Sequence, residues 1–350
     1  MAAPESDRAI RTEAARDCLL CASPGTPLYE GLRDVLFGIP GAWGFLRCPS
    51  CSLLWLNPRP ELRDIAKAYQ NYHTHARDDP AHIKSQACLR WLRDALLVSS
   101  CGYTQLPVSH GCRWVGKALG FLPTLREMAR ANVMFLDGVR PGRLLDVGSG
   151  NGRFLHKMRR LGWEVLGIEN DPQAVIAARH TCDVPVIEST LEEANLKGQS
   201  FDAITLRHTI EHVHAPIGLL AECRRLLRPG GRLVVLTPNV ESLAHRAFGP
   251  SWRGLEAPRH LHLFSPGSLT RAAEAAGLNV QRVTTSARTA YGIWALSRAI
   301  SRTISLPAGS PLPPRRLRLD GLVFHALEQC LVSSSKGCGE EVALVATVAP

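Results

Sequence analysis

The sequence has no run of about 18 uninterrupted apolar residues, the length a helix needs to cross a bilayer, so no membrane span is expected. The first residues, MAAPESDRAIRTEAARD, are charged and lack the apolar centre of a secretory signal. That sets the expectation of a cytoplasmic protein. Lysine is scarce: only six of the 41 basic residues are Lys, and the Arg excess is spread along the chain. The net charge of +10 therefore reads as composition more than as a nucleic-acid patch, and its densest cluster, Pro314–Leu319, is short. Eleven cysteines in a chain without a signal argue for a reducing compartment and against a disulfide framework. At 350 residues, 45% of them hydrophobic, the chain is long enough for one large core plus a smaller module.

Four of the cysteines are patterned. Cys18-Leu-Leu-Cys21 and Cys48-Pro-Ser-Cys51 can each place two thiolates on one tight knuckle. Two such knuckles complete a tetrahedral sulfur shell of the kind that suits Zn²⁺. The intervening segment, with Pro24, Gly25, Pro27 and Gly38 before Trp43, Phe45 and Leu46, suits a small β ribbon. So short a ribbon buries little surface unaided, so the metal would be its folding nucleus. Four protein ligands leave no open position, so this zinc would be structural.

The rest of the chain is organised around Arg143–Leu155, RLLDVGSGNGRFL. An apolar run stops at Gly148, Gly150 and Gly152, and a helical pattern follows through Phe154, Leu155, Met158 and Leu161. Strand, glycine bend, helix is how a nucleotide-binding α/β sheet begins, because glycines let the backbone turn sharply and approach a ligand. Asp146 precedes the bend, at the carboxyl end of the strand, where open α/β sheets hold ligands. A second strand ends in Glu169, about where a carboxylate meets ribose hydroxyls. The spacing is GxGxG, with Asn151 before the last glycine, and the GxGxxG of nicotinamide dehydrogenases is missing.

From Arg143 the chain alternates strand and helix, the mark of a mostly parallel sheet covered on both faces. Strands are expected at 143–147, 163–168, 184–187, 201–206, 232–237, 279–285 and 342–348, with helices beginning near Gly152, Pro172, Ala215 and Pro266. Before them, 81–138 reads as helices broken by Gly and Pro, with Cys88, Leu89, Leu92 and Leu96 at helical spacing. Trp91 and Trp114, on apolar helical faces, are expected in the core. Between the last two strands lies a long excursion, Thr289 to about Gly339, with two apolar helices flanking SLPAGSPLPP.

The order of these motifs, with FDAITLRHTIEHV at 201–213 and LLRPGGRLVVLTPN at 226–239, resembles the class I S-adenosylmethionine-dependent methyltransferases. Within them it is most similar to the branch shared with the ubiquinone-biosynthesis O-methyltransferases. The stretch LLWLNPRPELRDIAKAYQNY after the second knuckle resembles the zinc-ribbon leader of bacterial enzymes of this branch, with an Asn57–Pro60 turn and tyrosines at 69 and 72. Ser52 stands where that leader usually has glycine. The resemblance implies a Rossmann-like sheet of seven strands and a division into a zinc-ribbon module and leader (1–72), a helical cap (73–138) and a methyltransferase domain (139–350) with a helical insertion at 289–339.

It also implies roles. Asp146, Gly148, Ser149, Gly150 and Gly152 would hold the methionine portion of S-adenosylmethionine, and Glu169 the ribose. Thr190 and Leu191 would flank the adenine, while Leu206, Arg207 and His208 would face the thioether and carboxyl side. The segment WRGLEAPRHLHLFSPGSL (252–269) resembles the family's substrate-side loop, whose Pro-x-His matches His260. His260, His212 and Glu211 are the catalytic candidates, since histidine titrates near neutrality. A divalent cation on His260, His262 and Glu211 is a further arrangement, with the two histidines alternating on one extended segment. The expected partner is a small acceptor with a hydroxyl, such as a quinone precursor, a sugar or a secondary metabolite. A nucleic-acid-binding or nucleic-acid-modifying zinc-ribbon enzyme is the alternative, although no Asn/Asp-Pro-Pro-Tyr/Phe motif follows the fourth strand. The amphipathic helices of 289–335 leave a membrane surface, a second subunit or their own domain open as the face they cover.

Overall fold

The computed structural model describes residues 10–69, 90–302, 315–334 and 337–349. Tyr72, Cys88, Leu89 and the proline-rich stretch 305–314 lie outside the described residues. The chain opens with five short strands: β1 (Thr12–Glu13), β2 (Thr26–Leu32), β3 (Trp43–Arg47), β4 (Leu54–Leu56) and β5 (Arg59–Pro60). A 3₁₀ segment, Leu62–Tyr69, leads towards three cap helices, α1 (Arg90–Cys101), α2 (His110–Gly120) and α3 (Pro123–Asn132).

The large sheet then alternates with helices: β6 (Arg143–Val147), α4 (Arg153–Arg160), β7 (Glu164–Glu169), α5 (Pro172–Ala177), β8 (Val186–Glu188), β9 (Phe201–Arg207), α6 (Pro216–Leu226) and β10 (Leu227–Pro238). After α7 (Leu243–Phe248) and β11 (His262–Leu263) come α8 (Pro266–Ala275), β12 (Asn279–Ser286), α9 (Ala290–Ser301), α10 (Arg315–Ser334) and β13 (Glu341–Thr347). The seven strands run in the order β12-β13-β10-β9-β6-β7-β8. Strand β13 is antiparallel to both neighbours, and the pairs from β10 to β8 are parallel. This is the Rossmann-like sheet expected from the alternation, and its order reverses between β6 and β9, where such sheets open a crevice.

Local chemistry explains the boundaries. Asp171 caps α5 by accepting from the Gln173 amide at 2.8 Å, with Pro172 in the first turn. Ser265 and Ser268 form a reciprocal capping box at the start of α8. The Pro229–Gly231 turn interrupts the pairing of β10, which resumes with a shifted register at Arg232.

One face of the sheet packs Leu144, Val234 and Ala343 against Phe154, Leu155 and the cap residues Met134, Phe135 and Leu136. The other packs Leu145, Ile204 and Leu233 against α6 and α8, and this core runs on into Cys18, Cys48, Cys51, Leu53 and Trp55 of the N-terminal strands. Strands β2, β3 and β4 are joined by β11 in a four-stranded sheet ordered β11-β4-β3-β2, in which His262 pairs with Trp55 and Leu263 with Leu54, while β1 pairs with β5.

The two tryptophans expected in the core are instead outside it: Trp91 is 49% and Trp114 70% exposed. Gly116 explains the second. An added Cβ there would lie 2.4 Å from the Ala95 carbonyl oxygen, so α2 meets α1 through its glycine, and Trp114, two residues away, falls on the opposite side. In the late excursion, Trp294 of α9 stacks on Phe324 of α10 with ring centroids 3.7 Å apart and meets Phe248 edge-on at 4.6 Å. The inner side of the helical pair is thus turned to its own domain, while Leu322, Val323 and Leu327 of α10 are exposed. No described helix is long and apolar enough to cross a membrane.

Candidate functional site

The glycine bend lies at the carboxyl end of β6, at the switch point. Gly148, Gly150 and Gly152 all adopt positive φ, at 72°, 55° and 75°. A Cβ on Gly148 would sit 2.4 Å from Thr209 Oγ1, whereas one on Gly150 would meet nothing within 4 Å. The bend is therefore braced on one side and open on the other. Beneath it Asp146 is fully buried. Its Oδ1 accepts from Thr205 Oγ1 at 2.6 Å, and its Oδ2 has no partner, nor does Ser149 Oγ. Burial, opposed by Arg207 and the Thr205 hydroxyl, pushes the Asp146 carboxyl up to about 6. A buried carboxylate oxygen without a donor is costly unless a ligand supplies one. The ammonium of a methionine moiety is a donor that this oxygen fits.

Glu169 faces the same bend. Its Oε2 accepts from the Gly150 amide at 2.8 Å, and its Oε1 from the amides of Asn170 and Asp171 at 3.0 Å each. The loop carrying Thr190 and Leu191 hangs from the same point, since the Ser189 amide donates to the Glu169 carbonyl at 3.1 Å. Leu191 is buried in the core, and Thr190 Oγ1 accepts from the Glu193 amide at 3.3 Å. Leu206 is buried beside Leu145 and Ile204. Arg207, on the Asp146 side of the sheet, stacks over the Phe154 ring at 4.9 Å.

His208 turns away from Arg207 into an ion network. Its Nδ1 lies 3.2 Å from Glu211 Oε1 and its Nε2 2.9 Å from Glu341 Oε1, and Arg288 donates to the same Glu341 carboxylate at 2.8 and 3.1 Å. Burial opposes charging this imidazole, but the two carboxylates outweigh it and raise its pKa to about 9. Glu211 also accepts from Thr237 Oγ1 at 3.0 Å. Burial works against its ionisation, yet His208 holds its pKa down at about 2.

Beside this network a cavity of about 390 Å³ is lined by His208, His212, Trp252, His260, Arg288 and Glu341 among others. His212 and His260 face one another edge-on, ring centroids 4.8 Å apart. His260 Nδ1 donates to the Gly254 carbonyl at 2.7 Å, which fixes the tautomer and leaves Nε2 with its lone pair. Burial brings the His260 pKa down to about 4, so the ring is neutral at pH 7. His212 Nδ1 contacts the Arg259 carbonyl at 3.1 Å and the Tyr69 hydroxyl at 2.9 Å.

Glu211, His212 and His260 bring ligand atoms within 4.8 Å of one another. The histidine alternation considered for a cation is not what forms. The amides of Arg259 and His260 both bond the Glu256 carbonyl, so the chain turns there, and strand geometry begins only at His262, whose Nδ1 faces the Val213 carbonyl at 3.1 Å.

The four patterned cysteines converge. Cys18 Sγ lies 3.5 Å from Cys51 Sγ and Cys21 Sγ 3.3 Å from Cys48 Sγ, all four within 4.8 Å of one another. A tetrahedron with metal–sulfur bonds of about 2.3 Å has edges of about 3.8 Å, so the donor set fits Zn²⁺. Amides of Leu20 and Cys51 point at Cys18 and Cys48 Sγ at 3.5 and 3.4 Å, and Ser52 holds the left-handed turn of its knuckle at φ 61°. Thr205, Thr209, Arg288 and Glu341 carry no motif signal. Thr205 could have been found from strand parity beside Arg207, but Thr209 lies past the end of the strand, and Arg288 and Glu341 arrive from the distant edge strands.

Residues 123–283 match the family model described as a methyltransferase domain. A ubiquinone biosynthesis O-methyltransferase of Cereibacter sphaeroides is 33% identical over 130 residues, 35% of this chain and 53% of that one. Its counterpart in Xanthomonas oryzae pv. oryzae is 39% identical over 103 residues, 28% of this chain and 43% of that one. The chain thus spans about half the length of the curated relatives it matches. A solved SAM-dependent methyltransferase from Archaeoglobus fulgidus aligns with 63% of this chain and 91% of its own at 19% identity and a TM-score of 0.42.

Proposed function

We propose, from the premise that residues 123–283 lie in a class I S-adenosylmethionine-dependent methyltransferase domain, that this chain methylates a hydroxyl of a small acceptor. The observation that carries the reading is the unpartnered, fully buried Asp146 Oδ2 beneath an open glycine bend at the switch point of the sheet. Asp146 and the open side of Gly150 would hold the methionine portion, and Glu169 would take the ribose. When bound, S-adenosylmethionine supplies a methyl carbon already activated by its sulfonium. His260 Nε2 or its neighbour His212 would take the proton of the acceptor hydroxyl. His208, held positive by Glu211 and Glu341, is not the base. Its role is to fix the Glu211 side chain next to the histidine pair.

In this reading residues 1–72 are a module held by zinc on Cys18, Cys21, Cys48 and Cys51, residues 73–138 cap the sheet, and 139–350 carry the chemistry. The O-methyl assignment leans on the names of the Cereibacter and Xanthomonas relatives and on the neutral histidine beside the cavity. The test is binding of S-adenosylhomocysteine by calorimetry to the wild-type chain and to Asp146→Asn. Micromolar affinity that drops at least about tenfold in the variant supports the reading, and no binding to the wild type refutes it.

A further inference from the structure

A second cavity, of about 290 Å³, lies between α3, α4 and the end of β9, and three cations line it: Lys157, Arg207 and Arg288. Their compensation is uneven. Arg288 is paired with Glu341. Among the described residues Lys157 Nζ donates only to the carbonyl and side-chain oxygens of Asn132, which are uncharged. Arg207 lies over the Phe154 ring, and no carboxylate pairs with it among the described residues. A fourth cation, Arg93, also acts on Lys157, and Asp146 favours its charge. Burial, then Arg207, Arg93 and Arg288, bring the Lys157 ammonium down to about 7. Phe154, Met128 and Met134 supply apolar walls.

Such a cluster is stable when an anion enters it. The methyl donor does not fill that role alone. Its one carboxylate can meet Arg207 beside the ammonium on Asp146, but its ammonium and sulfonium bring two further positive charges, so the surplus of Lys157, Arg207 and Arg288 stays. The acceptor is the remaining ligand. Arg288 lines both this cavity and the one holding His212 and His260, so the two adjoin at that side chain.

We propose that the methyl acceptor is an anion whose carboxylate or phosphate group is bound by Arg207 and Lys157 while its hydroxyl end lies towards the histidine pair. This rests on the methyltransferase reading and names the charge class of its substrate. Arg207 is then a specificity residue. Its guanidinium presents a planar pair of donors to an oxyanion, with Phe154 holding its plane.

The test uses the full chain, saturated with S-adenosylhomocysteine or with 5′-methylthioadenosine, which lacks the aminocarboxylate. Inorganic phosphate and benzoate are titrated against sodium chloride of equal ionic strength, with the thermal midpoint and calorimetric heat as readouts. The expected result is anion binding in both cofactor-product states. It should be weakened at least about tenfold by Arg207→Gln in both states and partly restored by Arg207→Lys, while Lys157→Gln should weaken it and change affinity for S-adenosylhomocysteine less than about threefold. If S-adenosylhomocysteine binds but neither anion exceeds chloride, the proposal fails and the methyltransferase reading stands. The proposal is also overturned if the anions compete with S-adenosylhomocysteine but not with 5′-methylthioadenosine, and Arg207→Gln weakens the former alone. The cations then serve the cofactor's own carboxylate. Absence of all nucleoside binding sinks the underlying reading instead, and the substrate assignment with it.

Discussion

Removing either partner of the Arg259–Asp34 pair is expected to destabilise the whole chain and to unseat His260. The two side chains are 1% and 2% exposed, and Arg259 Nη1 donates to Asp34 Oδ2 at 2.7 Å. The guanidinium also donates to Glu256 Oε1 at 3.2 Å and to the Ala68 carbonyl at 3.2 Å, and it lies 4.4 Å from the centre of the Phe37 ring. Asp34 in turn accepts from the amides of Leu36, Phe37 and Ile39. Breaking a buried pair by removing one charge costs about 3–5 kcal/mol, because the other is left without compensation.

Arg259→Met leaves Asp34 buried with its amides but no cation, while Glu256 keeps Arg253. A loss of about 3 kcal/mol is therefore expected. Asp34→Asn keeps an oxygen for the amides and leaves the guanidinium its Glu256 contact, so it should cost less, about 1–3 kcal/mol. The double variant should fall short of the sum by about 1–3 kcal/mol, because the second change removes a charge the first left unpaired. Urea denaturation followed by tryptophan fluorescence measures all four chains. Turnover should fall in Arg259→Met with S-adenosylhomocysteine affinity intact, since the loop that carries His260 is what loosens. Single losses under about 1 kcal/mol that add without coupling would refute the reasoning.

Gly148→Ala should weaken S-adenosylhomocysteine binding and lower stability by about 1–3 kcal/mol, through the left-handed φ and the clash with Thr209, as read by calorimetry and thermal midpoint. His208, raised to about 9 in the fold against an ordinary value near 6.5, contributes stability that is complete below pH 6.5 and disappears as pH climbs through 9. The stability gap between wild type and His208→Gln should therefore shrink by about 1 kcal/mol between pH 6.5 and 9.5, a figure held down by solvent screening of a ring 37% exposed. Elemental analysis should find one zinc per chain, about one equivalent as four thiolates predict. Chelation or Cys48→Ser should lower the thermal midpoint by several degrees, about 2–4 °C for each kcal/mol lost.

The sheet is readable in the sequence because its strands are apolar runs closed by glycine, proline or a carboxylate. Strands β6, β7, β9, β12 and β13 lie within a residue or so of where the pattern puts them, and Pro172 and Pro266 mark real helix starts. The glycine bend is equally legible, since positive φ at three alternate positions is a demand only glycine meets without strain. What the pattern cannot carry is proximity between segments far apart in the chain. The Glu341 contact to His208 and the meeting of Lys157 with Arg207 both depend on how separate loops and edge strands arrive at one crevice. Strand β11 is two residues long, too short for any alternation to show. Trp114 was open to misreading because the residue that decides its side is a glycine two positions on.

The pairing of β11 with β4 sets a timetable for synthesis. The N-terminal strands leave the ribosome first, with their cysteines, but the outer edge of β4 has no neighbour until His262 and Leu263 follow some 200 residues later. At about 5–20 residues per second that interval is about 10–40 s, during which a hydrophobic strand edge stands bare to other nascent chains. Slow translation across the middle of the message would prolong the exposure, so codon usage between these two points bears directly on the yield of folded protein.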